Sequence, residues 1–187
     1  MPASTTGHAG RLAAVVTTRL IESRDAEALA HLLVVNRDFL APYEPLREQS
    51  YFTPAGQRAD IHAALDAHER GAGLPRVVLD EGGQLIGRIT LSGIVRGALL
   101  SCSIGYWIAQ AAGGRGAATA AVAQMTEIAF GQLGLHRVQA ETLVDNVRSQ
   151  RVLQKNGFTR YGLAPQYLKI AGRWQDHVMH QLLSPLR

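Results

Sequence analysis

The sequence predicts a single mixed α/β (α+β) domain, and three observations carry that prediction. Its 187 residues suffice for one well-buried core and are too few for two ordinary domains. Strand-like runs and segments of helical period share the whole chain, and the early elements read as antiparallel strands without a βαβ unit. The run Ser103-Ile104-Gly105-Tyr106-Trp107-Ile108 leads through a loop holding Gly113, Gly114 and Gly116 into a helix near Ala117. Such a helix start turns unsatisfied N–H groups and a positive dipole end towards the loop, where together they suit a phosphate group.

Composition narrows the function classes. With 47% hydrophobic and 18% charged residues the chain has the balance of a globular protein, not of a disordered one. No apolar run is long enough to cross a bilayer, so no membrane partner is expected. Residues 1–11 are small and polar without the apolar centre of a signal peptide, and read as a loose leader ahead of a domain over 12–187. Cys102 is the one cysteine, which excludes an internal disulfide and predicts a reduced, cytoplasmic protein with Cys102 filling core space in a strand. The net charge of +4 suits an anionic cofactor or passing contact with ribonucleoprotein, and nothing in the motifs points to direct sequence-specific nucleic-acid binding.

Each element has a local reason. Residues 12–20, with Val15 and Val16, read as a first strand. Ser23 or Asp25 caps a helix in which Ala26, Leu29, Ala30, Leu33 and Val34 recur at helical spacing. Pro42 and Pro45 predict an extended loop over 40–45. Thr53-Pro54 is a cap followed by proline at the first helical position, opening a helix through Ile61, Ala64, Leu65 and His68 to Gly71. Strands over 76–79 and 84–92 flank the turn Asp80-Glu81-Gly82-Gly83, and a strand over 99–108 feeds the glycine loop. A helix over 117–133 closes at Gly134, and 136–143 reads as a buried strand with Val138, Ala140 and Thr142 on one face. A short helix over 146–156 stops at Gly157. Strands over 158–161, 167–170 and 174–182 complete the sheet, the last two joined by Ala171-Gly172-Arg173.

The glycine loop is not a nucleotide-triphosphatase loop, because no lysine follows it, and it fits the dinucleotide fingerprint poorly, with Thr119 where a third glycine or alanine belongs. A second motif decides between phosphate ligands. Asn146 stands at a helix start, Ser149 one turn later, and Gly157-Phe158 at the stop. Taken with residues 113–118, it resembles the GNAT family of N-acetyltransferases. That family's loop consensus, Q/R-x-x-G-x-G/A, reads here Gly113-Gly114-Arg115-Gly116-Ala117-Ala118. Glycine in the first position removes one side-chain phosphate contact and keeps the backbone cradle. Asn36-Arg37-x-Phe39-Leu40-x-Pro42-Tyr43-Glu44-Pro45, Val95-Arg96-Gly97, Ile104-Gly105-Tyr106 and Trp174-x-Asp176-His177-Val178 follow in order. They resemble the RimJ/RimL branch, the ribosomal-protein-alanine N-acetyltransferases, on its RimJ side, over residues 12–183.

The resemblance implies a GNAT fold: one central mixed, mostly antiparallel twisted sheet, splayed between strands 4 and 5 and flanked by about four helices. It implies acetyl-coenzyme A as co-substrate, with no metal. Pantetheine would lie in the splay against Trp107, Ile108 and Ala109. The backbone of Gly114, Arg115, Gly116, Ala117 and Ala118 would hold the pyrophosphate, with Gly113, Asn146, Ser149 and Lys155 completing the cofactor set. Leu153 stands where many members carry a tyrosine acid, which leaves Ser149 as the hydroxyl for the departing thiolate, with a helix cap or back-bond as its ordinary alternative. RimL-type relatives have a glutamate near residues 167–168 and this chain has none, so Glu141, Asp176 and His177 are the base candidates, Glu141 the one taken into the site. Tyr43 and Glu44 are expected to meet the acceptor. An α-amine has a pKa of about 8 and needs less help from a base than a lysine near about 10.4. The resemblance, with this in favour of an α-amine, implies a protein N-terminus as acceptor, an alanine of a ribosomal protein; a small-molecule amine, such as an antibiotic, or a ribosome-associated factor with secondary catalysis, are the alternatives. A homodimer remains open.

Overall fold

The structure, a computed structural model, describes residues 16–185. The expected leader over 1–11 and residues 12–15 of the expected first strand lie outside the described residues. Seven strands, β1 (Thr17–Leu20), β2 (Gly73–Leu79), β3 (Leu85–Val95), β4 (Ser101–Ile108), β5 (Arg137–Leu143), β6 (Thr159–Ile170) and β7 (Arg173–Leu183), form one sheet in the order β1-β2-β3-β4-β5-β7-β6. Every neighbouring pair is antiparallel except β4 and β5.

That exception makes the cleft. The parallel register of β4 and β5 covers only Ser101↔Arg137, Cys102↔Val138 and Ser103↔Gln139. Beyond it, β4 continues against β3 as far as Ile108↔Gly87, and β5 continues against β7 as far as Leu143↔His177. Two strands held on their outer sides part on their inner sides. The sheet is mixed, mostly antiparallel and splayed between its fourth and fifth strands, as expected.

Helices cover both faces. On one, α4 (Ala117–Glu127) and α5 (Val147–Lys155) pack over a core that includes Ile89, Leu91, Cys102, Val122, Met125, Val138 and Leu153. On the other, α1 (Ala26–Val35) and α3 (Pro54–Glu69) meet Ile21, Leu29, Ile61 and Val77. Burying each such aliphatic side chain stabilises the fold by about 1.5–3 kcal/mol. Val138, Ala140 and Thr142 line up buried on one face of β5, as their alternation predicts. The Thr53 hydroxyl accepts from Gly56 N (3.1 Å) with Pro54 at the first helical position. A Cβ on Gly56 would stand 1.9 Å from Ser50 O, so only glycine fits that turn.

Several expectations need correction. Neither Ser23 nor Asp25 caps α1 with its side chain; a 3₁₀ turn over Ser23–Asp25 precedes it, and Asp25 instead accepts from Glu22 N (2.8 Å) and from both terminal nitrogens of Arg19 (2.8 and 2.6 Å). The extended loop expected over 40–45 starts as helix. A single turn α2 (Arg37–Leu40) runs into a 3₁₀ turn, Ala41–Tyr43, because Pro42 falls at a helix start, where its missing N–H costs nothing. Only from Glu44 is the chain extended. The two strands expected over 158–161 and 167–170 are one strand, β6. It is at the sheet edge, where Pro165 is tolerated, and a bulge between Ala164 and Leu168 holds Gln166 at φ +47°. Finally, α4 ends at Glu127 and continues as a π turn, Ile128–Gln132, before Gly134 at φ +62°.

Candidate active site

A cavity of about 990 Å³ occupies the splay and reaches from the glycine loop to the loop holding Glu44. At the glycine end α4 is preceded by Gly116 at its N-cap, which sits at φ +91° and supplies no side-chain cap. Ala120 N is the first amide to bond into the helix, at 3.0 Å from Gly116 O. The N–H groups of Ala117, Ala118 and Thr119 therefore face out of the helix end towards the cavity, with Gly114 (φ +73°) keeping the approach free of side chains. Gly113 shapes this loop without lending its amide, since Gly113 N is 3.0 Å from Gln110 O. Arg115 does not line the cavity. Lys155 does, and Arg148 and Arg151 from the same helix join it. Their spacing of three and four residues was the available signal for a shared helix face, which the sequence reading left unused.

The loop is anchored from a distance. Asn36, buried at the end of α1, accepts from Gln110 N with Oδ1 (2.7 Å) and donates to Leu32 O with Nδ2 (2.8 Å). A residue that motif-matching placed only in a family signature thus ties the helix layer of one sheet face to the start of the phosphate loop.

Along the inner edge of β4 the expectation divides. Ala109 N donates to Ile86 O (2.8 Å), so the Ala109 amide faces β3 and is not available to a ligand in the splay. Strand alternation puts the Trp107 amide on the same side, while those of Ile104, Tyr106 and Ile108 face the opening. The Trp107 ring packs with Leu79 and Leu85 against the α1–α3 core, and Ile108 packs on the opposite core. On the facing edge the buried Thr142 Oγ1 lines the cavity with no hydrogen-bond partner among the described residues. Unpaired inner strand edges, an uncapped helix start and an orphan buried hydroxyl fit an extended molecule with an amide arm and a pyrophosphate. Among the described residues no three His, Cys, Asp or Glu side chains gather as metal ligands would.

At the middle of the cleft Asn146 caps α5, its Oδ1 accepting from Ser149 N (3.1 Å). Ser149 Oγ is 2.8 Å from the Tyr106 hydroxyl. Leu153 is fully buried, in keeping with a packing role. Burial pushes the Tyr106 hydroxyl up to about 12, and likewise the Cys102 thiol, which is core filler as expected.

Carboxylates, arginines and a tyrosine from four separate stretches line the rest of the cavity: Glu44, Arg47, Tyr51, Asp60, Arg88 and Glu141. Arg88 is ion-paired with Asp60. Glu44 has no ion pair within 4.0 Å among the described residues, and burial raises its pKa, opposed by Arg47 and Arg88. Glu141 is likewise raised by burial, opposed by the Ser103 hydroxyl that donates to its Oε1 (3.2 Å). Tyr43 lines this part and also a smaller groove beside Asp38 and Asp145. Asp176 and His177 do not line the cavity. Asp176 is exposed and accepts from Gln166 N (2.8 Å) at the β6 bulge, and His177 is buried with its ring edge-on to Tyr167 and its Nδ1 3.0 Å from Gln175 O. Of the three base candidates only Glu141 reaches the cleft.

Known proteins share this frame. Residues 16–159 match the family described as acetyltransferase (GNAT) domain. The chain is 35% identical over 175 residues to the ribosomal protein uS5-alanine N-acetyltransferase of Escherichia coli, covering 91% of this chain and 88% of that one. Among solved structures it superposes on the ribosomal-protein-S5-alanine acetyltransferase of Vibrio fischeri with a TM-score of 0.86 at 31% identity, over 91% of this chain and 94% of that one. It superposes equally well on Mycobacterium smegmatis RimJ in complex with CoA-disulfide, with a TM-score of 0.88 at 30% identity, over 91% and 83%. The split sheet, the uncapped glycine helix and these similarities lead to one conclusion: the chain belongs to the GNAT family, as an acetyl-coenzyme A-dependent N-acetyltransferase of RimJ/RimL type.

Proposed function

We propose that this enzyme acetylates the N-terminal α-amine of a protein, an alanine of a ribosomal protein. The observation that carries the reading is Glu44: a carboxylate half-withdrawn from water, without an ion pair among the described residues, on the wall of the same cleft as the phosphate loop. A cationic amine is the natural partner for such a group. The names of the relatives, which act on ribosomal proteins, support the same acceptor class.

Acetyl-coenzyme A supplies an activated acyl carbon and a thiol leaving group. The open amides of Ala117, Ala118 and Thr119 hold its pyrophosphate, and Arg148, Arg151 and Lys155 add positive charge beside them. Ile108 and Tyr106 offer backbone groups to the pantetheine arm, with Thr142 Oγ1 and the Asn146 amide nitrogen across the cleft. Glu44 receives the ammonium form of the acceptor, and Glu141 takes the proton that the nitrogen gives up. Its raised pKa makes it a better base than an ordinary carboxylate, and an α-amine near about 8 asks no more of it. Ser149 donates to the departing sulfur. The same carboxylates would also attract a small polyamine. Initial rates with an Ala-starting peptide, the same peptide with a blocked N-terminus and an internal lysine, spermidine, and an aminoglycoside separate these acceptors. The proposal predicts the highest kcat/KM for the free Ala-starting peptide; a higher value for either small amine would overturn it.

A further inference from the structure

We propose that Tyr106 is a positioning residue for the leaving-group step, holding the Ser149 hydroxyl so that its hydrogen points at the departing sulfur. The inference rests on the reading of Ser149 given above. Tyr106 Oη lies 2.8 Å from Ser149 Oγ and 3.4 Å from Ser149 O, while Asn146 Oδ1 takes the Ser149 amide at 3.1 Å. Ser149 is therefore pinned through its backbone by its own helix cap and through its side chain by a strand on the other wall of the cleft. Serine near a helix start commonly turns its hydrogen back onto a carbonyl one turn earlier. Here the contact with Tyr106 is the one bond that Ser149 Oγ makes among the described residues.

A hydroxyl has one hydrogen and two lone pairs. A phenol is the stronger acid of the two, and Ser149 Oγ at 2.8 Å is a nearer acceptor than Ser149 O at 3.4 Å, so we assign Tyr106 as the donor and Ser149 Oγ as the acceptor. That occupies a lone pair on Oγ and leaves the Ser149 hydrogen without an acceptor among the described residues, beside a cavity that both residues line. The Tyr106 ring is held by the main core, so the donor is fixed in place. Burial pushes its pKa up to about 12, which keeps the phenol protonated throughout the working range.

In the transfer step the neutral amine nitrogen bonds to the thioester carbonyl carbon, and the carbon–sulfur bond breaks with its electron pair going to sulfur. Ser149 donates a hydrogen bond to that sulfur without losing its proton. The proton shed by the nitrogen balances the one the thiol finally takes up through solvent, so Ser149 and Tyr106 end the cycle as they began. Tyr106 touches neither reacting atom; it acts through Ser149.

The test is a double-mutant cycle of Tyr106→Phe, Ser149→Ala and the pair, using whichever amine of the panel above the wild-type enzyme acetylates best. Ser149→Ala is expected to lower kcat about 100-fold, and Tyr106→Phe, acting indirectly, about tenfold. In Tyr106→Phe the KM for acetyl-coenzyme A and the calorimetric affinity for coenzyme A stay at wild-type values, and the double variant is no slower than Ser149→Ala alone. A tenfold loss that persists in the Ser149→Ala background, or loss of coenzyme A affinity in Tyr106→Phe, would overturn the proposal. Wild-type kcat in Ser149→Ala removes the Ser149 reading and this inference with it. A slow Ser149→Ala beside a fast Tyr106→Phe removes Tyr106 alone.

Discussion

The two ends of the cleft are built on different principles. The phosphate end is made by backbone: an uncapped helix start, two left-handed glycines and strand edges that stop pairing. Its glycines and open amides lie within a few residues of one another in the chain, and α5 adds charge from one further helix. The acceptor end is made by side chains, with Glu44, Tyr51, Asp60, Arg88 and Glu141 drawn from stretches separated by up to 97 positions. Backbone geometry recognises what every donor of this kind shares, the pyrophosphate. Side-chain chemistry can be exchanged residue by residue, and so can set the acceptor without disturbing the cofactor.

The largest effect that would break this division is expected at Gly116. Valine there cannot hold φ +91° without strain, and relaxing it swings the open amides of α4 out of line. Gly116→Val should weaken coenzyme A binding by about 3 kcal/mol, the loss of one to two charge-assisted hydrogen bonds, as measured by calorimetry. The strain also lowers the melting temperature, so folding is checked by circular dichroism. Unchanged affinity in the folded variant would remove the backbone cradle.

At the other end Glu141→Gln should lower kcat about 100-fold with little change in the KM for acetyl-coenzyme A. Because burial raises Glu141, the wild-type rate should fall as the pH drops through a point above the usual carboxylate range, and the variant should lose that limb. The limb set by the amine, near about 8, should remain. A pH–rate profile with both limbs intact in Glu141→Gln would exclude Glu141 as the base.

Asn36 sharpens the comparison, since it is the side chain through which the acceptor-side helices reach the phosphate loop. Asn36→Ala leaves the Gln110 amide without its buried acceptor and should cost about 2 kcal/mol of stability, a fall of several degrees in melting temperature, with a several-fold loss of coenzyme A affinity. Loss of stability with full affinity would show that the anchor serves folding alone.

The same contrast explains what could be read from sequence. Gly114, Gly116, Asn146 and Ser149 are local patterns with a local physical cause, and helix period and strand alternation carried most of the fold, including the buried face of β5. Ala109 was misassigned because the direction of a strand amide depends on the register with β3, which no single strand encodes. The stretch between 161 and 167 does not read as strand, because tolerance of Pro165 depends on β6 lying at the sheet edge, which the fold alone decides. Asp60, Arg88 and Tyr51 carried no motif at all; only the tertiary fold brings them beside Glu44. Tyr106 was visible in a signature and silent about its role until its hydroxyl was placed against Ser149.

The most direct test of two separately built ends is the pair of KM values for Glu44→Gln. The account predicts that KM for an Ala-starting peptide rises about tenfold, the loss of one charge-assisted contact at a partly solvated site, while KM for acetyl-coenzyme A does not move. An equal rise in both values, or no change in either, would contradict it.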